Sequence, residues 1–389
     1  MVRDMLLRRR SQVLLGGIVC LVVVLLTWRL VLSGTEQGVP DGVSQESWRL
    51  AEEATRRRLS RAPERAEVCL TLARQAIEDR RPEVARSCFA QVPISDTGHG
   101  LQALFELSQL EFTEHQSERA ELGFEELLRA AQAGRPVPSR QQLIALRTLS
   151  LLYGVQMRTS ARARVLQQLM QSRTADVHEA KYYFFPSLLV WQNDWGASLV
   201  KQFLEKNPDS RALRNAAARY ATGRGELERA RAELEMLHQQ NPSDLETVAF
   251  LMECCQEQDD AVRLGTLAES LPVDTSDEPL LLSEQRGAWL VRRKDLASAV
   301  VCFERLQARD PANPAACQGL LACLDGEGRS EDRERLARRA AVLAKLRVSL
   351  GPATPENPGA IREVAGYCRE LGMTEAAEAF DYFAAAATR

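Results

Sequence analysis

Histidine is scarce in this chain of 389 residues: His99, His115, His178 and His238 are scattered, and none forms an H-E-x-x-H pair. No Walker loop, no glycine-rich G-x-G-x-x-G turn after a strand and no G-x-S-x-G elbow occurs. The common nucleotide, zinc-protease and serine-hydrolase chemistries are therefore excluded, and no cofactor is implied. Charge of one sign is lacking too. Fifty basic against 53 acidic residues leave a net charge of -3, which gives no electrostatic case for nucleic acid. Aromatic residues are 6%, and strand-like alternation is nearly absent. Ala, Leu, Arg and Glu dominate instead, a composition that favours helix.

Nine cysteines are present, but no two form a C-x-x-C pair and no histidines cluster with them, so a zinc site is not indicated. Most lie in amphipathic stretches beside Leu, Ala or Phe, where a thiol packs as a small hydrophobe. A disulfide such as Cys317–Cys323, or one involving Cys254 or Cys255, is the alternative if the chain lies outside the cytosol.

The strongest local signal is the uncharged run from Val13 to Leu26, which continues through Trp28, crosses Arg29 and resumes at Leu30–Leu32. Twenty helical residues span about 30 Å, the thickness of a bilayer's hydrocarbon core. Trp28 and Arg29 lie near its far end, as expected of an aromatic belt and a snorkelling cation. Arg3, Arg8, Arg9 and Arg10 precede the run, and Glu36, Asp41 and Glu46 follow it. The positive-inside rule then predicts a cytosolic basic tail (1–12), a transmembrane helix (13–32) and everything beyond on the extracytoplasmic (periplasmic) side. The apolar core exceeds a usual signal-peptide h-region and no A-x-A site follows, which favours an anchor over a cleaved leader. Val19 before the mid-run Cys20 excludes a lipoprotein signal. Residues 33–46, with Gly34, Gly38, Pro40 and Gly42, read as a linker.

From residue 47 onward helical periodicity is nearly continuous and turn signals recur. Pro208 and Pro242 are 34 residues apart (242 − 208), and Pro311 follows 69 later (311 − 242), two such periods plus one. Proline after a helix stops it, and a following Asp or Ser caps the next. A second register agrees: a small residue, then large apolar residues four and seven positions on, in Ala85/Phe89/Val92, Ala120/Phe124/Leu127, Ala230/Leu234/Leu237, Ala299/Phe303/Leu306 and Ala376/Phe380/Phe383. Each set shares one helix face.

These residues resemble the tetratricopeptide repeat, which asks for a small residue in its first helix, then alanine, a bulky residue and a closing proline. Gly287, Ala299, Phe303 and Pro311 meet that pattern in a unit at 280–313. Ala218, Ala230, Leu234 and Pro242 meet it at 211–244, with Gly225 in the turn. The unit ending at Pro208 departs from it, with Gly196 for the alanine, Val200 for the bulky residue and Pro186 interrupting its first helix. Residues 354–389 read as a C-terminal cap. The resemblance implies an all-α solenoid of antiparallel helix pairs over 47–389, with a concave partner-binding surface.

On the concave face the resemblance places Tyr182, Phe185, Asn215 and Arg219 as groove candidates. Tyr182-Tyr183-Phe184-Phe185, with Trp191 and Trp195, is the densest aromatic cluster, and its alternative reading is core packing around the Pro186 interruption. Asn215 and Arg219 resemble the Lys/Asn/Arg carboxylate clamp of chaperone adaptors, but the 280–313 unit offers Glu284, Gln285 and Ala288 there, so the clamp is incomplete. Arginine runs at Arg56–Arg58 with Arg61 and Arg65, and at Arg333, Arg335, Arg338 and Arg339, alternate with acids and read as solvated faces. The first, near the anchor, has the alternative of touching anionic headgroups. The expected function is a membrane-anchored scaffold or adaptor for a protein or peptide partner, and the alternative is a constitutive accessory subunit of a membrane-bound enzyme, envelope-assembly or secretion complex.

Overall fold

The computed structural model describes residues 65–189, 194–271, 278–324 and 330–388. The tail (1–12), the expected membrane span (13–32), the linker (33–46), the start of the repeat domain, and Trp191 lie outside them. Among the described residues the chain is all α, and no helix is long and apolar enough to cross a membrane.

The helices are α1 (Arg65–Glu78), α2 (Pro82–Phe89), α3 (Gly100–Thr113), α4 (Ser117–Gln132), α5 (Ser139–Val155), α6 (Thr159–Gln171), α7 (Val177–Phe184), α8 (Asp194–Lys206) and α9 (Arg211–Thr222). They continue with α10 (Leu227–Gln240), α11 (Leu245–Glu257), α12 (Ala261–Ser270), α13 (Leu280–Arg292), α14 (Leu296–Arg309), α15 (Pro314–Cys323), α16 (Ser330–Leu350), α17 (Pro358–Glu370) and α18 (Thr374–Ala386). Most consecutive helices pack on one another as hairpins, and first helices of neighbouring hairpins also touch, as α9–α11, α11–α13 and α13–α15. The small–large–large register lies in the second helices α2, α4, α10, α14 and α18, with Val92 just past the end of α2. All its residues but the half-buried Phe383 are buried, because that face meets the next hairpin.

One turn recurs. All nine residues with positive φ among those described end a helix, and the amide after each bonds back to the carbonyl five residues earlier, at 2.7–3.1 Å. This αL closure satisfies carbonyls that the helix end leaves open. Gly134, Gly225 and Gly372 adopt it without penalty, whereas Arg80, His115, Met157, Arg173, Asp259 and Lys294 carry a Cβ into the left-handed region. Side-chain caps start other helices. Asp244, Asp260, Asp295, Asn313 and Asn357 accept amide bonds at α11, α12, α14, α15 and α17. Ser210, before α9, makes no such bond.

Close approach replaces bulk where the helices cross. A Cβ at Gly287 would stand 2.6 Å from the Phe303 ring, and one at Gly319 2.2 Å, so two glycines grip Phe303 from α13 and α15. Gly196 similarly admits Tyr220, whose hydroxyl would lie 2.3 Å from an added Cβ. Charged side chains tie successive hairpins about one repeat apart: Arg74–Glu106, Arg147–Glu179, Arg211–Asp244, Arg219–Glu253 and Arg292–Asp259.

The regular stack is interrupted after α7. Pro186 follows the end of α7, which keeps its packing on α6 while its far end turns away from the next hairpin. A capping box built by Asp176 and Glu179 starts α7, and Arg147 holds Glu179 from α5. Helix α8 returns to the N-terminal hairpins, where Phe203 packs on Phe112 and His115, and Asn207 Nδ2 donates to the His115 carbonyl at 2.6 Å. Helix α7 packs on α6 and also on α18. Val177, Ala180 and Phe185 belong to the same buried cluster as Ala312, Leu346, Ile361, Val364 and Phe380.

Two substitutions test this geometry in opposite directions by urea unfolding. Gly319→Ala loses about 1–3 kcal/mol through overpacking, although alanine is the better helix former. Lys294→Gly, at an exposed αL position, gains about 0.5–1 kcal/mol.

Candidate functional site

Polar side chains on the first helices of successive hairpins bond from one hairpin to the next and form a lane. On α9, Asn215 Nδ2 donates to Thr247 Oγ1 at 2.8 Å, across to α11. One turn on, Arg219 forms a two-point ion pair with Glu253 of α11, Nε–Oε2 2.9 Å and Nη2–Oε1 3.2 Å, and lies 4.9 Å from the Phe250 ring centroid. On α13 comes Glu284, whose carboxylate accepts Asn313 Nδ2 at 2.7 Å. Asn313 caps α15 through the Ala316 amide and also donates to Ser187 Oγ at 2.8 Å. Ser187 Oγ in turn donates to Asp310 Oδ2 at 2.5 Å.

Tyr182 and Arg219 lie beside the lane's far wall. Together with Tyr153, Arg162, Pro186 and Leu189 they line a cavity of about 30 Å³, room for a water and little more. The Arg162 guanidinium sits 3.9 Å above the Tyr182 ring. Each of the four residues expected on the groove is thus engaged within the chain. Tyr182 is half-buried under Arg162, while Asn215 and Arg219 are buried against α11. Phe185 has no exposed surface, and its ring stacks on Phe380 at 5.6 Å and 17°. The core reading of the aromatic cluster therefore describes Phe185, whereas Trp195 is 44% exposed. Arg219 already holds an internal carboxylate. A ligand's terminal carboxylate would have to displace Glu253 and then face Glu284 and Asp310.

The lane is acidic, and crowding shifts its protons. Burial pushes Glu284 up to about 7, with Asp310 and Glu253 adding to the shift and the Asn313 bond and Arg219 opposing it. Burial also raises Asp310, and it raises Glu246, near Asp244 and Glu121, to about 7. All eight described cysteines are buried with no disulfide among them, including between Cys317 and Cys323, and burial raises Cys254 and pushes Cys255 up to about 11. Among the described residues no group of three His, Cys, Asp or Glu side chains is placed to hold a metal ion.

Glu253, Ser187, Asp310 and Asn313 escaped the sequence reading. Asp310 and Asn313 fell in a segment read only as a helix stop. The Arg219–Glu253 spacing of 34 (253 − 219) equals the repeat period, a signal that was present.

No family model matches the chain, and no curated protein matches it. Among solved structures it is similar to a tetratricopeptide repeat protein from Parabacteroides merdae, at 11% identity over 67% of this chain and 99% of that one, with a TM-score of 0.33. It is also similar to human IFIT1 in a dimer with m7Gppp-AAAA, at 14% identity over 78% of this chain and 72% of that one, TM-score 0.36. A third is the APC/C hetero-tetramer Cut9–Hcn1, at 13% identity over 87% and 82%, TM-score 0.32. Likenesses at these scores bear neither on family nor on partner. What the chain itself displays is a class: an all-α stack of helical hairpins with a polar inner lane.

The raised Glu284 gives a signed prediction. Between its ordinary 4.5 and about 7 the folded state holds a proton that the unfolded chain releases. That contribution to stability is full below about 4.5 and is lost as pH rises through 7. Glu284→Gln therefore matches wild type in urea unfolding at pH 4.5 and exceeds it by about 1–2 kcal/mol at pH 8, allowing for partial exposure. Equal pH slopes for the two proteins would refute the assignment.

Proposed function

We propose that this protein is a helical-repeat scaffold that binds a protein or peptide partner along its inner lane and has no catalytic role. The observation that carries the reading is the lane itself, with Asn215, Arg219, Glu253, Glu284 and Asn313 supplied by four successive hairpins. Side chains so spaced suit a ligand that runs along several repeats rather than one that fits a single pocket. The acidic balance of Glu253, Glu284 and Asp310 favours a partner segment offering hydroxyl, amide or cationic groups.

The uncharged Val13–Leu26 run and the arginines before it support attachment to a membrane through residues 13–32, with the repeats on the extracytoplasmic side. The repeat surface would then meet partners within one bilayer-bound layer. Nucleic acid is not the expected partner, because basic and acidic residues balance along the chain.

A photoreactive residue at Ala288, beside the lane on α13, is expected to cross-link a discrete partner in intact cells. The same residue at Val262, exposed on the outer helix α12, is not. Recovery of nothing from Ala288 above an anchor-only control would sink the scaffold reading. Protease added to intact, outer-permeabilised cells is expected to digest the repeats, and digestion only in inverted vesicles would reverse the orientation.

A further inference from the structure

The segment that leaves α7 sits against the lane in the manner of a ligand. Phe185–Leu188 forms a turn closed by the Leu188 amide on the Phe185 carbonyl at 3.2 Å, with Pro186 at the position where its fixed φ suits such a turn. Its three leading side chains reach three different surfaces. Phe185 enters the apolar cluster of the C-terminal hairpins and stacks on Phe380. Pro186 lines the small cavity beside Arg219. Ser187 is read on both sides of its hydroxyl, accepting from Asn313 and donating to Asp310.

An aromatic anchor, a proline turn and a doubly bonded hydroxyl are the elements by which a groove recognises a short peptide. Here they arrive from more than a hundred residues away in the same chain, since 310 − 187 is 123. The segment also follows a helix cut short by proline, so it is not constrained to continue any repeat. Asn313 and Glu284 couple it directly to the lane, whose polar groups would otherwise face a partner.

We propose that Phe185-Pro186-Ser187 is an internal occupant of the partner groove, and that the partner is a protein whose exposed aromatic–proline–hydroxyl turn competes for the same contacts. The proposal rests on the reading of the inner lane as the partner surface. The internal segment then sets a threshold: a competitor must exceed the high effective concentration of a tethered ligand before it displaces the turn.

The test uses the full chain and a fluorescent synthetic peptide of residues 181–189. Anisotropy is expected to show the peptide binding the Phe185→Ala/Ser187→Ala protein at least tenfold more tightly than wild type. A Phe185→Ala version of the peptide should lose that binding. A folded double variant that binds the peptide no better than wild type overturns the proposal. So does a variant that takes up the segment only by dimerising with wild-type chains, which would mean exchange between copies. If the double variant does not fold, hydrogen exchange of the wild type decides. Amides of Phe185 and residues 187–189 exchanging ahead of those in α17 and α18 support a displaceable occupant, and exchange only together with α18 overturns it. Ala288 cross-links that persist while the peptide fails would leave the scaffold reading intact and remove this one alone.

Discussion

No hairpin in this chain can bury its own apolar face. The Ala–Phe–Leu face of a second helix is fully covered only when the next first helix joins its own hairpin partner on it, as Phe303 lies between the glycines of α13 and α15. Everything else follows from that dependence. The αL turns fix the angle within a hairpin, the period-spaced ion pairs fix the register between hairpins, and the inner lane is the by-product of aligned first helices. Exposed pairs such as Arg292–Asp259 add little energy, but they penalise slippage by one turn. The more enclosed Arg219–Glu253 pair penalises slippage more, because separating it would leave a buried charge unpaired.

The apolar face of α18 is covered from far back in the chain. Helix α7, while still packed on α6, also reaches α18, and Phe185 stacks on Phe380. Pro186 is the enabling residue. By following the end of α7 it turns the chain away from the local stack, while α8 packs on the N-terminal hairpins through Phe203 and Asn207. What looked in the sequence like a damaged repeat is the piece that covers α18.

Much of the fold was legible because its signals are local. Proline spacing, the small–large–large register and Gly225 in a turn mark helices and their faces through sterics confined to a few residues. The αL positions were less legible, since Arg, His, Met, Asp and Lys occupy them as well as glycine. There the chain's need to close the hairpin overrides the preference of the residue. The site was legible only in outline. Asn215 and Arg219 were placed on the inner face, but their partners Thr247 and Glu253 belong to the next repeat. Phe185, expected to line the groove, is buried against a helix 195 residues away (380 − 185), and no local pattern encodes such a contact.

That distance has a consequence during synthesis. Chains emerge N-terminus first, and helical arrays otherwise assemble hairpin by hairpin as each successor appears. Helix α7 can settle on α6 as soon as both are made, but the contacts of Phe184 and Phe185 with Phe380 must wait until α18 has been synthesised. The nascent chain therefore passes through an interval in which this one long-range contact is still open, and the arrival of α18 is what closes it.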